Sequence, residues 1–261
     1  MRHHLDAATC GGRILRSRIC KRHLEGVATS RYRHMQIDLM RHGQTLSGAV
    51  LRGSLDDPLT PAGWQAMQAA FERHGPWDRI LSSPLQRCWQ AAAIGAQMQG
   101  IPLHIEPALR EMHFGAWEGC SAAALMQSAP DALAAFWRDP WQHTPPGAEP
   151  LAQMAARVLG LWDRLACQYP QQRLLLVTHG GVIRLLLCHL QQRPWTQLLE
   201  MEVPHAGIYR ITHDSQVPLW RHHPDAVTGN AEHPLRNEAA GLVLFKRYAQ
   251  RVLCAPREAT P

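Results

Sequence analysis

Charge is sparse in this sequence: Asp, Glu, Lys and Arg together make up 18% of its 261 residues. Phenylalanine and tyrosine are sparse too, with four of each. No run approaches the roughly 18 uncharged apolar residues of a membrane-spanning helix, so no membrane partner is expected. There is also no C-x-x-C pair. The seven cysteines (Cys10, Cys20, Cys88, Cys120, Cys167, Cys188, Cys254) are odd in number and scattered. That pattern argues against a disulfide framework or a zinc site and suits reduced thiols in a cytoplasmic protein. Low charge beside 46% apolar residues is globular composition, with enough to bury a sizeable core. At about 150 residues per domain, the length suggests one large domain or a domain with additions.

Acidic residues are scarce at the amino end. Residues 1–34 hold eight Lys/Arg against Asp6 and Glu25, which accounts for the whole net charge of +6; the rest carries 19 of each sign. The basic balance therefore belongs to a leader, and no nucleic-acid partner is expected for the body. The leader lacks the apolar stretch of a secretory signal, although its composition resembles a transit peptide. We read it as a flexible tail, or as sequence assigned ahead of a start at Met35, where the first strand signal begins.

From there strands and helices alternate. Ile37–Met40 reads as a strand, Thr60-Pro61 as the capped start of a helix, and Arg79–Ser82 as a second strand. Ser83-Pro84 reads as another cap-plus-proline start, of a helix running to Gly100. Leu103–Glu106 is a weaker strand. Residues 107–148 break the rhythm with Trp117, Trp137, Trp141 and a Pro145-Pro146-Gly147 turn, and read as a lid-like insertion. A helix is expected from about Glu149 to Gln168, a buried strand over Arg173–Val177, a helix over Gly180–Leu190 and a last strand over Gly207–Thr212. The pattern predicts a three-layer α/β/α sandwich with a mainly parallel sheet over residues 35–212, the tryptophan-rich insertion lying over the site. Residues 213–261 read as a tail with one helical stretch near Leu242–Leu253.

The chemistry gathers at three strand-to-helix junctions: Arg41-His42-Gly43-Gln44-Thr45, Ser82-Ser83-Pro84-Leu85-Gln86-Arg87, and Thr178-His179-Gly180-Gly181. In such a sheet, ligands bind at the carboxyl ends of the strands, where helix N-termini also favour anions. Two arginines and two histidines converging there suit a doubly charged oxyanion, because the guanidinium fork matches phosphate oxygens. Taken singly, Arg87 could be a solvated helix residue, His179 a structural hydrogen-bonder and Gly180-Gly181 an easing of a turn. Their joint occurrence at three junctions favours a phosphoryl site.

These three motifs together resemble the histidine phosphatase superfamily, which contains cofactor-dependent phosphoglycerate mutase and many small-molecule phosphatases. The resemblance covers about Met35 to Thr212. It implies that His42 becomes phosphohistidine, that Arg41, Arg87 and His179 cradle the phosphoryl oxygens, and that Glu111 is the proton donor. By residue type alone Glu111 is not distinguishable from Glu106 or Glu118. The resemblance further implies substrate contacts from Gln44, Arg52, Gly53 and Gly180, with a small-molecule phosphate ester as partner and no cofactor or metal.

Within the family, Leu51–Thr60, Glu111–Gly119, Phe136–Pro140 and Pro145–Glu149 are similar to α-ribazole phosphatases, so an α-ribazole 5′-phosphate phosphatase of cobalamin assembly is expected. Alternatives are a phosphoglycerate mutase, a broad phosphatase of sugar phosphates, and a non-catalytic phosphate-binding module. One departure stands out: many members carry an Asn soon after the catalytic His, whereas this loop reads Leu46-Ser47-Gly48-Ala49-Val50. Oligomeric state is not readable from the sequence.

Overall fold

The computed structural model describes residues 35–213 and 220–223. The basic leader and the helical stretch near Leu242–Leu253 lie outside the described residues. A six-stranded sheet forms the middle layer, in the order β3-β2-β4-β1-β5-β6. Its strands are β1 (Gln36–Arg41), β2 (Arg79–Ser82), β3 (Leu103–Ile105), β4 (Arg173–Thr178), β5 (Ile208–His213) and β6 (Trp220–His223). β1, β2, β3 and β4 pair in parallel, while β5 runs antiparallel to β1, and β6 to β5. The sheet thus runs past residue 212, where composition had suggested a boundary.

Alternation along the strands builds two cores. Met40, Ile80, Leu175 and Val177 pack against helices α1 (Pro61–Arg73) and α2 (Gln86–Gln99). Ile37, Leu39, Leu81, Leu174 and Leu176 pack against α5 (Leu151–Gln168) and α6 (Gly180–Leu190). Leu174–Val177 is completely buried, as its continuous apolar run required. At the amino end of the sheet the buried Asp38 accepts from Trp77 Nε1 (2.7 Å), Arg173 Nη2 (2.7 Å) and Arg210 Nε (2.9 Å), which satisfies its charge and ties β1, β4 and β5 together.

Helix starts follow local chemistry only in part. Thr60 caps α1 as expected, its Oγ1 accepting from Gly63 N at 2.9 Å, with Pro61 in the first turn. The second helix instead begins at Gln86 with Leu85 as its N-cap, and the Ser83 hydroxyl both accepts from Leu85 N (3.3 Å) and is engaged by His179 (2.8 Å); Arg87 still falls in the first turn. α5 begins at Leu151, two residues later than expected, because Pro150 takes the cap position and keeps the preceding Glu149 extended, its N–H donating to His113 O (2.9 Å). Residues 107–148 form 3-10 turns at Pro107–Leu109 and Gly115–Trp117, then α3 (Ala122–Ser128) and α4 (Pro130–Arg138). They pack on the α5/α6 face through Trp117, Leu125, Leu133 and Phe136. Trp141 stacks on Trp195 (ring centroids 5.2 Å apart, 13° between planes), joining this segment to a 3-10 turn at Trp195–Glu200.

Candidate active site

β4 lies between β1 and β2, so the carboxyl ends of all three strands stand side by side. His42 N donates to Thr178 O (2.9 Å) and Ser83 N to Val177 O (2.9 Å), carrying the ladders just beyond the strands. The first residue after each strand is thereby held at the same edge.

His42 is buried, and its ring meets that of His179 edge-on with centroids 5.3 Å apart. Its Nδ1 lies 2.7 Å from Gly43 O. A carbonyl only accepts, so Nδ1 carries the proton and Nε2 keeps its lone pair. Burial, then the charges of Arg41 and Arg87, hold the imidazole well below its ordinary pKa. His42 is thus neutral at pH 7, and the lone pair on Nε2 is chemically able to act as a nucleophile.

His179 is buried as well, and burial followed by Arg87 and His42 pushes it in the same direction. Arg87 Nε donates to its Nδ1 (3.3 Å), so the proton sits on Nε2 and points to Ser83 Oγ at 2.8 Å. Arg87 is completely buried and also donates to the carbonyls of Leu55 (2.6 Å), Gly53 (3.0 Å) and Arg52 (3.3 Å). It therefore binds the loop after β1 to the pocket, in addition to lending its charge. Arg41 donates through Nη1 to Val203 O at 2.5 Å.

The three candidate carboxylates separate clearly. Glu106 caps the turn after β3, accepting from Ala108 N at 2.9 Å. Glu118 accepts from the backbone N–H groups of Ser54 (2.9 Å), Phe114 (2.9 Å), Gly53 (3.0 Å) and Leu55 (3.2 Å). Burial alone would raise its pKa, but these bonds outweigh it and hold the carboxyl below the usual range. Glu111 instead reaches the first turn of α6, where Oε2 accepts from Gly181 N at 2.9 Å. A Cβ on Gly181 would collide with Oε1, so this approach needs glycine.

Among the other expected contacts, Gly53 packs so closely against Met112 O that no side chain fits, and Gly180 opens α6. The Arg52 side chain is turned to Asp57 (3.2 Å) and to Gly48 O. Gln44 offers its backbone carbonyl to Thr60 N (2.9 Å). Four neighbours escaped the sequence reading: Ser83 as a partner of His179, Arg157, Arg184, and His205, whose ring centroid lies 5.6 Å from that of His42. Among sixteen histidines, His205 carried no distinguishing spacing.

Beside Glu111 opens a cavity of about 170 Å³. Its walls are apolar and aromatic, with Phe114, Phe136, Trp137, Met154 and Leu198, and its polar groups are Glu111 and Arg184. Arg184 is fixed by Nε donating to Met201 O at 2.8 Å.

The sequence model of the histidine phosphatase superfamily (branch 1) matches residues 37–225. The chain belongs to that superfamily. It is 33% identical over 174 residues to the adenosylcobalamin/alpha-ribazole phosphatase of Salmonella typhimurium, covering 65% of this chain and 86% of the relative. It is 32% identical over 174 residues to glucosyl-3-phosphoglycerate phosphatase of Mycobacterium tuberculosis, covering 62% and 78%. The crystal structure of the alpha-ribazole phosphatase from Shigella flexneri superposes with a TM-score of 0.65 at 28% identity, covering 76% of this chain and all of that one. This histidine phosphatase is accordingly a phosphoric monoester hydrolase of a family acting on small phosphate esters, with the α/β fold expected from its sequence. None of its described helices is long and apolar enough to cross a membrane.

Proposed function

We propose that this histidine phosphatase removes the 5′-phosphate of α-ribazole through a phosphohistidine on His42. The observation that carries the substrate is the aromatic-edged cavity with Glu111 on its wall, which suits a flat, apolar base attached to the leaving hydroxyl. Likeness to the Salmonella and Shigella enzymes supports the same choice.

In the first half-reaction His42 Nε2 attacks phosphorus and the P–O bond to the ribose breaks. Glu111 protonates the departing alkoxide. Arg41 and Arg87 offset the charge on the equatorial oxygens, and the Nδ1–H bond to Gly43 supports the positive charge on the phosphorylated ring. In the second half-reaction the Glu111 carboxylate takes a proton from water, which attacks phosphorus. His42 is restored and inorganic phosphate leaves.

A second reading draws on Arg184. A guanidinium in a largely apolar cavity, with Glu111 the other charged group on its wall, would suit a carboxylate-bearing ester such as a phosphoglycerate. Steady-state kinetics on α-ribazole 5′-phosphate, 3-phosphoglycerate and an aryl phosphate separate the two. We expect kcat/KM at least tenfold higher for α-ribazole 5′-phosphate; preference for phosphoglycerate overturns the assignment. His42→Ala is expected to abolish acid-labile phosphate incorporation, and unchanged labelling would remove His42 from the mechanism.

A further inference from the structure

We propose that His205 is a ligand of the transferred phosphoryl group, a third imidazole donor in the same pocket. The proposal rests on the phosphatase reading of the site but not on the identity of the ester.

The first argument is where β5 delivers its leading loop. β5 runs antiparallel to β1, so its amino end meets the carboxyl end of β1, and the segment Val203–Gly207 lands against Arg41 and His42. Three hydrogen bonds hold it there: Arg41 Nη1 to Val203 O (2.5 Å), Arg41 N to Gly207 O (3.1 Å) and Ala206 N to His42 O (3.2 Å). His205 lies within this clamp. Its ring is tilted 49° to that of His42 with centroids 5.6 Å apart, against 5.3 Å for His179. Two imidazoles thus stand at comparable distances from the ring of His42.

The second argument is the company the ring keeps. An imidazole that only fills space is expected among apolar side chains, whereas His205 is half-buried beside Arg41, Arg52 and His42. Burial, then Arg41 and Arg52, pull its pKa down to about 3, so it enters catalysis as a neutral ring. Such a cationic wall favours an anion between its members.

The third argument is what the loop after His42 lacks. Leu46–Val50 contains a single polar side chain, that of the exposed Ser47, and the Arg52 guanidinium is turned to Asp57 and Gly48 O. The 46–50 stretch thus offers a phosphoryl oxygen little from its side chains, while the segment before β5 brings the His205 ring to 5.6 Å from that of His42.

The test compares His205→Ala, His205→Phe and His205→Asn with the wild type. Orthovanadate and inorganic phosphate affinities are measured by calorimetry, kcat/KM on an aryl phosphate by absorbance, and folding by thermal denaturation. We expect the Ala and Phe variants to lose tenfold to a hundredfold in vanadate affinity and in kcat/KM. The Asn variant, which restores an N–H donor, should recover a good part of both. The Phe variant keeps a ring of similar shape and separates donation from packing if Ala unfolds. Anion affinities within twofold of wild type for folded Phe and Asn variants overturn the proposal and leave His205 a packing residue. Wild-type turnover of the aryl ester tests the phosphatase reading by itself, since anion affinity reports on His205 whether or not any ester is hydrolysed.

Discussion

Two neighbouring imidazoles are held in opposite tautomers by what each can reach. The carbonyl of Gly43 keeps the proton of His42 on Nδ1, and the donor Nε of Arg87 keeps that of His179 on Nε2. Glu111 is set by two backbone N–H groups, that of Met112 (3.0 Å) and that of Gly181 at a helix start (2.9 Å), with no side chain at Gly181 to block it. For Glu111→Gln we expect kcat on an alkyl phosphate to fall about 10²- to 10⁴-fold. An aryl phosphate, whose leaving group needs no proton, should give a burst of phenolate and accumulated phosphohistidine, because the water-activating step is also lost. Loss without accumulation would count against Glu111 as the base. Gly181→Ala should reproduce this pattern, as its Cβ displaces the carboxylate. His42, Arg41, Arg87 and His179 were legible in the sequence because each follows or closes a strand with its own local motif. Glu111 was legible only through family likeness, since its neighbours Glu106 and Glu118 differ from it in tertiary hydrogen bonds alone. His205 and Ser83 acquire their partners across the sheet, where no spacing along the chain records them.

Elements succeed as predictions where one local signal acts alone and shift where a side chain has a second use. Thr60-Pro61 starts α1 as read, whereas Ser83 serves both Leu85 N and His179, and α2 starts later. The same logic ties α5 to the segment that carries Glu111. Arg157, on its second turn, is paired with Glu149 and donates to the carbonyls of Ala108 (2.7 Å), Arg110 (2.7 Å) and Glu111 (3.2 Å). It positions the backbone that carries Glu111. Arg157→Leu should cost about 2 kcal/mol of stability, since it leaves partly buried carbonyls and the Glu149 carboxylate without their donor. On an alkyl ester kcat should drop at least fivefold, with vanadate affinity unchanged. A parallel loss of vanadate affinity would mean that Arg157 supports the phosphate pocket instead. The tryptophans of the 107–148 segment divide likewise. Trp117 is buried core against Phe136 (centroids 5.6 Å apart), Trp141 stacks on Trp195, and Trp137 lines the cavity.

At the scale of the molecule, the site is a store of uncharged imidazoles. His42 and His179 lie well below their ordinary pKa and His205 falls to about 3, all three driven chiefly by burial. In the unfolded chain each would titrate near 6.5, so below that pH the unfolded state binds protons that the folded state refuses. Stability is complete above about pH 6.5 and is lost as the pH falls, at up to roughly 4 kcal/mol per pH unit for three such groups. Urea unfolding at pH 7.5, 6.5 and 5.5 checks this; a midpoint unchanged from 7.5 to 5.5 would show that these rings accept protons in the native state. The layered fold itself was readable from alternating strands and helices, but not the sixth strand, whose Trp220–His223 stretch follows proline and polar residues.

The placement of β4 between β1 and β2 also sets the order of events during synthesis. When the ribosome has made the first three strands and all the helices before Arg173, the central slot of the sheet is vacant and the pocket has neither His179 nor the clamp that precedes β5. A nascent chain therefore carries His42 early and completes the pocket around it only after residues 203–207 have been made.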